Sequence, residues 1–261
     1  MEKSKHVVII GGGFAGLSCA RKLANVPGIR VTLIDRQNHH LFQPLLYQVA
    51  TAALAAPDIA RSLRQLFCHA DNVSVLMDTI ISIDLEKRTA SSAEHDYKYD
   101  YLVLAAGAKT TFFGNDEWKE HTIGLKCLSD AYAIRRSVFK ALERAELTDD
   151  PEERNRLMTI AIVGAGPTGV ELAGAYSDLA RRALLANYRR LDISRLRVLL
   201  IQSGDRVLKP FDEEQSEYTK NRLEKLGVEV ILGHRVTDVQ EKTLFFDELE
   251  PMQAETCLLY T

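Results

Sequence analysis

Two groups of glycines in this chain have the spacing that lets a backbone bind a phosphate. They are Gly11, Gly13 and Gly16 in the first group and Gly164, Gly166 and Gly169 in the second. In such a Gly-x-Gly-x-x-Gly fingerprint, the first glycine permits a tight turn, the second lets the backbone approach a pyrophosphate, and the third lets a helix pack on a strand. The N-terminus of that helix supplies N–H donors and a favourable dipole. The sequence therefore predicts two dinucleotide sites.

The residues around the first fingerprint fit this interpretation. A short β-branched run over residues 6–10 precedes it, and a helical stretch follows it. Phe14 and Ala15, between the second and third glycines, belong to the predicted cofactor-binding set. Asp35 ends the next buried run, about 20 residues after Gly16, where a carboxylate accepts hydrogen bonds from an adenosine ribose.

The second fingerprint also follows a buried run, but a neutral residue replaces the acid. Thr168 can add a hydroxyl to the phosphate site, and Gln202 ends the next run. A carboxylate at that position would bind the ribose 2′-hydroxyl and repel a 2′-phosphate, whereas glutamine removes the repulsion and Ser203 can donate a hydrogen bond. Arg206 is a candidate cation, with a merely solvated arginine as the alternative. The site therefore leaves NADPH open beside NADH.

The repeated pattern predicts an α/β fold of two Rossmann-like FAD/NAD(P)-binding domains, with parallel sheets and helices on both faces. The segment 148–156 is charged and contains Pro151, so we interpret it as a linker. The predicted divisions are 1–125 for the FAD-binding domain, 126–156 for a connecting helix and this linker, 157–250 for the NAD(P)H-binding domain, and 251–261 for the start of a return to the first domain.

Composition excludes several other classes of function. A net charge of −3 gives no electrostatic case for nucleic-acid binding. No run of residues is apolar for long enough to span a membrane. The four cysteines are scattered without a CxxC pair. The adjacent His39 and His40 have no carboxylate at ligand spacing, so no metal site is predicted.

Four segments together resemble a known family. GGGFAGLSCARKL, VTLIDRQNHHLFQPLLYQVAT, YDYLVLAAGAKTTFFG and IAIVGAGPTGVELAG are similar to the type II NADH:quinone oxidoreductases, which are single-subunit, non-proton-pumping NADH dehydrogenases with FAD. The resemblance covers essentially the whole chain. NHHLFQPLLYQVAT is its most specific part, because the fingerprints are shared by the wider pyridine nucleotide-disulfide oxidoreductase superfamily.

The resemblance implies roles for particular residues. The first fingerprint and Asp35 would hold the adenosine diphosphate of FAD, and the second fingerprint would hold the pyrophosphate of NADH. Further residues would lie near the flavin: Gln48, Ala50 and Thr51 by the isoalloxazine, and Ala106 with Gly107 at a strand end where the family usually has Thr-Gly. Glu171 would sit beside nicotinamide and flavin, and is also a favourable acid near a helix N-terminus. Glu171 and Gln48 are the predicted catalytic residues.

The implied activity is hydride transfer from NADH to FAD, followed by electron transfer to a membrane quinone. We expect a cytoplasmic protein, because the scattered cysteines fit a reducing cytosol better than a disulfide framework, and the intact protein is expected at the cytoplasmic face of the membrane. A homodimer stays open. The family's later Gly-Asp motif, its quinone site and its membrane-lying C-terminal helix are absent from these residues. We therefore expect a truncated chain that binds FAD weakly and whose membrane contact resides in a C-terminal region not present here.

Alternatives of two kinds stay open. Disulfide reductases of the same superfamily need a redox CxxxxC, and the corresponding stretch LFQPLLYQVAT has no cysteine, which argues against dithiol chemistry. A sulfide:quinone oxidoreductase, or another FAD/NAD(P)H oxidoreductase of the superfamily, is one alternative, although Cys127 and Cys257 form no obvious pair. A non-catalytic nucleotide-binding or redox-sensing protein is the other.

Overall fold

The structure is a computed structural model that describes residues 4–112, 114–184 and 187–259. Residues 260 and 261, the last of the predicted final strand, lie outside the described residues. The chain divides into two compact units. The first consists of Met1–Phe42 and Pro57–Lys109, and the second of Gln43–Ala56 and Thr110–Thr261.

The strands are two to seven residues long. In chain order they are β1 (Lys5–Ile10), β2 (Ile29–Asp35), β3 (His39–Leu41), β4 (Ala60–Ser62), β5 (Val73–Met77), β6 (Ser82–Asp84), β7 (Thr89–Ser91), β8 (Asp96–Lys98), β9 (Tyr101–Leu104), β10 (Thr159–Val163), β11 (Arg197–Gln202), β12 (Val228–Leu232), β13 (Val236–Gln240), β14 (Thr243–Phe246), β15 (Met252–Gln253) and β16 (Thr256–Leu259).

The α-helices differ more in length. They are α1 (Phe14–Leu23), α2 (Leu46–Ala50), α3 (Ala56–Ile59), α4 (Leu63–Leu66), α5 (Leu128–Leu147), α6 (Pro151–Leu157), α7 (Pro167–Leu179) and α8 (Glu213–Lys225). A π-helical turn continues α7, and short 3₁₀ turns occur as well: Gln43–Leu45, Asp116–Glu120 and Ile193–Arg195.

The first unit is built on a four-stranded parallel sheet with the order β5-β2-β1-β9. Strand β1 buries Val7, Val8 and Ile9, as expected of a parallel strand that is covered on both faces. Leu17 of α1 and Leu63 of α4 belong to the same core. A small antiparallel sheet, β6-β7-β8, lies in the chain between β5 and β9.

The second unit repeats this plan. Its parallel sheet has the order β12-β11-β10-β16, and its antiparallel sheet, β13-β14-β15, again lies in the chain between the third and fourth parallel strands. The predicted duplication therefore extends from the glycine fingerprints to the whole strand order. The predicted α/β class with parallel sheets is confirmed.

The last described strand differs from the expectation for 251–261. Instead of beginning a return to the first domain, Thr256–Leu259 pairs in parallel with β10, with Ile160 opposite Thr256. All four residues of this strand are buried. It therefore completes the second sheet, in the position that β9 has in the first. The reason is hydrophobic: a fully buried strand needs a sheet that is covered on both faces.

The segment Gln43–Ala56 also departs from the predicted boundaries, which placed it within the domain 1–125. In the structure it groups with the second unit. Its helix α2 buries Leu46, Val49 and Ala50, and it packs against α5 and α7. Because these apolar side chains find their partners on helices far along the chain, sequence position alone did not reveal their location.

The predicted linker 148–156 contains a helix. Asp150 caps α6 by accepting a hydrogen bond from the backbone N–H of Glu152 at 2.9 Å. Pro151 takes the first helical position, where a missing N–H costs nothing. The charged composition that suggested a linker is therefore the start signal of a helix.

A nearly buried carboxylate holds several elements of the second unit together. Glu255 lies just before β16, and its Oε1 forms an ion pair with Arg144 Nη1 of α5 at 3.1 Å. It also pairs with Arg156 of α6 and with Lys242. Since an unpaired buried carboxylate would be very costly, these cations are needed where Glu255 lies. None of the helices among the described residues has the length and apolar character needed to cross a membrane.

Candidate dinucleotide sites

The first fingerprint forms a turn that only glycine can make. Gly11 follows β1 and has a φ of +105°, and a Cβ placed on it would lie 2.2 Å from the carbonyl oxygen of Ala105. A Cβ on Gly16 would lie 1.8 Å from the carbonyl oxygen of Gly11. Both distances are far inside van der Waals contact, so the turn and the helix packing require glycine at both positions.

The second glycine of this fingerprint faces open space. Gly13 caps α1 in an extended conformation, and a Cβ placed on it would meet no atom within 4 Å. The N–H groups of Phe14, Ala15 and Gly16 belong to the first turn of the helix, where no intrahelical acceptors are available. No acidic residue occupies this turn. The loop therefore offers room and backbone donors for an anion.

Asp35 ties the end of β2 to this loop. Its carboxylate accepts hydrogen bonds from the backbone N–H of Gly12 at 2.6 Å and from that of Gln37 at 2.7 Å. Each carboxylate oxygen keeps a further lone pair that can accept from a ribose hydroxyl. The structure thus places the predicted acid beside the predicted phosphate loop.

The histidine pair contributes to the loop through His40. Its Nδ1 lies 3.0 Å from the carbonyl oxygen of Gly12, and its ring packs edge-on against Phe14, with 5.1 Å between the ring centroids. Phe42 contacts the other side of Phe14 at 5.6 Å. His39 Nδ1 lies 3.1 Å from Asn38 Oδ1. Across the described residues, no group of three or more His, Cys, Asp or Glu side chains could hold a metal ion.

Ala106 and Gly107 follow β9 at the same end of the first sheet. The peptide group between Ala105 and Ala106 lies against Gly11, where a Cβ on Gly11 would be only 3.2 Å from Ala106 N. Gly107 has a φ of +71°. The structure therefore brings this strand end to the first fingerprint, and its place beside FAD stays a prediction.

The second fingerprint repeats the first in detail. Gly164 has a φ of +107°, and its N–H donates to Ile201 O at 2.8 Å, just as Gly11 N–H donates to Ile34 O at 2.7 Å. A Cβ on Gly169 would lie 1.9 Å from Gly164 O. Gly166 caps α7 and again faces open space.

Gln202 occupies the position of Asp35. Its Oε1 accepts a hydrogen bond from the backbone N–H of Ala165 at 2.9 Å, the counterpart of the bond from Gly12 to Asp35. Because Oε1 is used in this way, the amide group Nε2 is available as a donor. Thr168 is the second residue of α7, directly after the loop.

A cavity of about 760 Å³ adjoins the second fingerprint, within the size range of small-molecule sites. We call it the fingerprint cavity. Its lining residues come from the fingerprint, from the ends of β10, β11 and β16, from the loop after β12, from the start of β13 and from the segment before α5. They are Asn115, Trp118, Val163, Gly164, Gly166, Pro167, Ile201, Gln202, Ser203, His234, Arg235, Val236, Thr237 and Leu259.

Several of these lining residues were not predicted. Trp118, His234 and Arg235 lie in separate stretches of sequence that only the strand order brings together. Trp118 is buried, and its indole N–H donates to Asp238 Oδ1 at 3.0 Å. The one signal that could have indicated His234 and Arg235 is their position directly after a predicted strand, where ligands of parallel sheets bind.

Glu171 lies on α7, with its side chain exposed. Partial desolvation of its carboxyl raises its pKa above the ordinary value. The carboxyl therefore keeps its proton to a higher pH than a fully hydrated glutamate would.

Gln48 and Ala50 lie on α2, and Thr51 directly follows it. Helix α2 packs against α7, the helix that carries Glu171. The hydroxyl of Tyr176, on α7, donates to Ala50 O at 3.2 Å. Gln48 Nε2 donates to the Tyr47 hydroxyl at 3.0 Å, and the buried Thr51 Oγ1 donates to Tyr47 O at the same distance. Within the second unit, the predicted isoalloxazine residues and Glu171 therefore share one supporting helix.

Two nucleotide-type loops on duplicated parallel sheets define a class of protein. Residues 5–259 match the family described as pyridine nucleotide-disulphide oxidoreductase, and the chain belongs to that family.

Within it, the chain is similar to two type II NADH:quinone oxidoreductases of Mycobacterium tuberculosis. It is 44% identical to Ndh over 238 residues, covering 90% of this chain and 51% of the relative. It is 42% identical to NdhA over 247 residues, covering 93% and 52%. The structure of NDH2 from Plasmodium falciparum in complex with NADH has a TM-score of 0.90 at 25% identity, covering 99% of this chain and 55% of the other. The chain spans about half the length of these relatives.

Proposed function

We propose that this chain binds FAD at the first fingerprint and NAD(P)H at the second, and that it belongs to an FAD-dependent NAD(P)H:quinone oxidoreductase. One observation carries the proposal: the two loops are built alike, each with a glycine that faces open space at a helix N-terminus. The names of the M. tuberculosis relatives supply the reaction, NADH:quinone oxidoreduction.

The first loop suits the adenosine diphosphate of FAD. The open face at Gly13 leaves room for the pyrophosphate. The N–H groups of Phe14 and Ala15 can donate to it, and the positive end of the helix dipole lies at the same place. Asp35 lies where it can accept from a ribose hydroxyl while holding the Gly12 N–H. Ala106 and Gly107 would line the flavin at the end of β9.

The second loop suits a nicotinamide dinucleotide. Gly166 leaves the same open face, and Thr168 adds a hydroxyl in the first turn of α7. Gln202 presents an uncharged amide to the ribose, so a 2′-phosphate meets no carboxylate there. We therefore propose that NADPH is accepted beside NADH.

A flavin accepts hydride from a reduced nicotinamide and passes electrons onward, which is the chemistry that the bound cofactor supplies. Glu171 and Gln48 are the residues of this chain that we propose as catalytic. Partial desolvation raises the pKa of Glu171, which eases proton uptake by its carboxyl, and Gln48 supplies an amide that is oriented by Tyr47. The Glu171→Gln variant should slow flavin reduction while leaving the Kd for NADH unchanged.

The electron acceptor in this proposal is a membrane quinone, reached at the cytoplasmic face of the membrane. Membrane contact and a homodimer are parts of the proposal that vesicle flotation and analytical ultracentrifugation would test. Sedimentation as a monomer at all concentrations would remove the homodimer from it.

A matched pair of substitutions tests the assignment of the two sites. Gly13→Val and Gly166→Val each place a side chain in open space, so the fold should tolerate both. Each should block close approach of a phosphate to its own loop. We expect Gly13→Val to weaken FAD binding at least tenfold (~1.4 kcal/mol) with NADH binding unchanged, and Gly166→Val to do the reverse. Titration calorimetry of each variant with each nucleotide measures this, and crossed or equal effects would contradict it.

The redox step separates an enzyme from a non-catalytic nucleotide-binding protein. Under anaerobic conditions, NADH should bleach the absorbance of FAD bound to the chain, and a soluble quinone should restore it. Bound flavin that stays oxidised would favour the non-catalytic alternative. Flavin that is reduced but is not reoxidised by quinone would reject the quinone as acceptor.

Thiol chemistry of the sulfide:quinone type is the weaker alternative. Cys257 is buried in β16, and burial raises its pKa to about 12, so its thiol is protonated and shielded at neutral pH. Iodoacetamide at pH 8 should therefore label the exposed Cys68 and spare Cys257 in the native chain. Fast labelling of Cys257 would revive the thiol mechanism.

A further inference from the structure

The fingerprint cavity has a one-sided charge. Its described lining residues include no aspartate or glutamate, whereas Arg235 contributes a positively charged guanidinium. The phosphate groups of a dinucleotide are anionic and bind strongly to a guanidinium, which can donate two parallel hydrogen bonds. The lining therefore favours a ligand with phosphate groups, and Arg235 is the source of the complementary charge.

Arg235 is fixed through its backbone and not through its side chain. Its N–H donates to Asp247 Oδ1 at 3.1 Å, and the N–H of Asp247 donates to its carbonyl oxygen at 3.2 Å. Within the described parts of the chain, the ion pairs do not include Arg235. The guanidinium is thus held at the cavity by an anchored backbone while its donors are not used by a carboxylate.

Arg206 has the opposite environment. It lies in the loop after β11, which is the position that the sequence suggested for a cation. Its guanidinium lies 3.6 Å from Glu213 Oε1 and donates to Lys209 O at 3.1 Å. It lines a different cavity that also contains Asp205, Glu214 and Glu217. Its charge is therefore already compensated by acidic neighbours.

A second observation marks the wall beside Arg235 as built for a polar ligand. His234 lines the fingerprint cavity, and its Nδ1 is buried without a hydrogen-bond partner among the described residues. Buried polar atoms are nearly always paired in folded proteins, so an unpaired one calls for a partner that binds there. The two adjacent residues after β12 thus both offer polar side-chain groups that have no partner within the described parts of the chain.

We infer that Arg235, rather than Arg206, binds a phosphate group of the adenosine half of the dinucleotide in the second site. The adenosine half is assigned to this side because Gln202, in the ribose position, ends β11, and His234 and Arg235 follow the neighbouring strand β12. The inference rests on the proposed function for the identity of the ligand. It adds a specificity-determining residue that the fingerprint does not contain.

Calorimetric titration of the 261-residue chain with ADP-ribose, and with its 2′-phosphorylated form, tests the inference. Arg235→Gln should weaken binding about tenfold, the usual scale for one charge-assisted contact. Arg235→Lys should recover part of the loss. The matched control, Arg206→Gln, should change the Kd by less than about twofold, because its half-buried guanidinium lines a different cavity and is already paired with Glu213 and Lys209 O. Added salt should weaken the wild type more than Arg235→Gln, since salt screens the contact that the variant lacks.

The two ligands identify which phosphate is bound. A loss confined to the 2′-phosphorylated ligand assigns Arg235 to the 2′-phosphate, and an equal loss for both assigns it to the pyrophosphate. An unchanged Kd in Arg235→Gln, a larger effect of Arg206→Gln, or no binding of either ligand to the wild type would overturn the inference. Because ADP-ribose has no nicotinamide, this result is independent of flavin reduction, so a failure of the proposed redox function is seen separately.

Discussion

The two fingerprint loops have the same backbone and different supports. In both, the second loop residue donates its N–H to the side chain that ends the next strand, Asp35 in the first and Gln202 in the second. The carbonyl oxygen of that loop residue is held by the His40 side chain in the first loop and by the backbone N–H of Leu208 in the second. The shared backbone bonds fix the loop, while the residues that supply them are free to set the charge of each site.

The largest expected effect tests whether the two loops are equivalent in their packing. Gly16→Ala and Gly169→Ala each force a methyl group against a backbone oxygen, at 1.8 and 1.9 Å. Each should destabilise its own unit by about 3 kcal/mol, the upper range for overpacking. Hydrogen exchange with mass spectrometry measures each unit separately. Gly13→Ala and Gly166→Ala are the controls, because their added methyl groups meet open space. If the first unit of Gly16→Ala were as protected from exchange as that of Gly13→Ala, the two loops would not be equivalent in their packing.

The next effect sharpens the difference in charge. Gln202→Glu restores the acid of the first loop while keeping an oxygen for the Ala165 N–H. It should weaken NADPH binding about tenfold and leave NADH binding unchanged or improved, because a carboxylate repels the 2′-phosphate. The ratio of the two Kd values is the measurement. An unchanged ratio would show that Gln202 does not face the ribose.

A smaller effect concerns the support of the first loop. His40→Ala removes the group that lies 3.0 Å from Gly12 O and the ring that packs on Phe14. FAD binding should weaken by about 1 kcal/mol, the usual value of one hydrogen bond, while NADH binding stays the same. Fluorescence titration with FAD measures it. Equal loss at both sites would mean that His40 stabilises the chain generally instead of its own loop.

The smallest effect concerns the anchoring of α2. Tyr176→Phe removes the hydroxyl that donates to Ala50 O and retains the buried ring. Stability should fall by about 1 kcal/mol or less, and burial raises the pKa of this hydroxyl, so the loss should be the same from pH 6 to pH 9. Urea unfolding followed by the fluorescence of Trp118 reports it. A loss that grows with pH would indicate that another titrating group supports α2.

The sequence predicted the elements whose signals are local. The β-branched runs, the glycines of both loops and the residues ending β2 and β11 all lie in short continuous stretches, and the structure places them as predicted. The family match over residues 5–259 agrees with the resemblance drawn from four segments. What could be predicted was therefore each loop and the strand beside it.

The remainder depends on contacts between distant residues. Whether Thr256–Leu259 pairs with β10, and whether α2 packs on α5 and α7, is decided by burial that no local pattern records. The same applies to Trp118 and Arg235, which reach the fingerprint cavity through strand order. Their chemistry is visible in the sequence, but their neighbours are not.

The segment Gln43–Ala56 has a consequence for synthesis of the chain. It emerges from the ribosome between the two parts of the first unit, yet its partners α5 and α7 are translated much later. Until residue 179 has left the exit tunnel, Leu46, Val49 and Ala50 have no surface on which to bury. The nascent chain must therefore keep an apolar helical segment exposed while the first unit folds, and during this interval aggregation competes with folding and a chaperone is most useful.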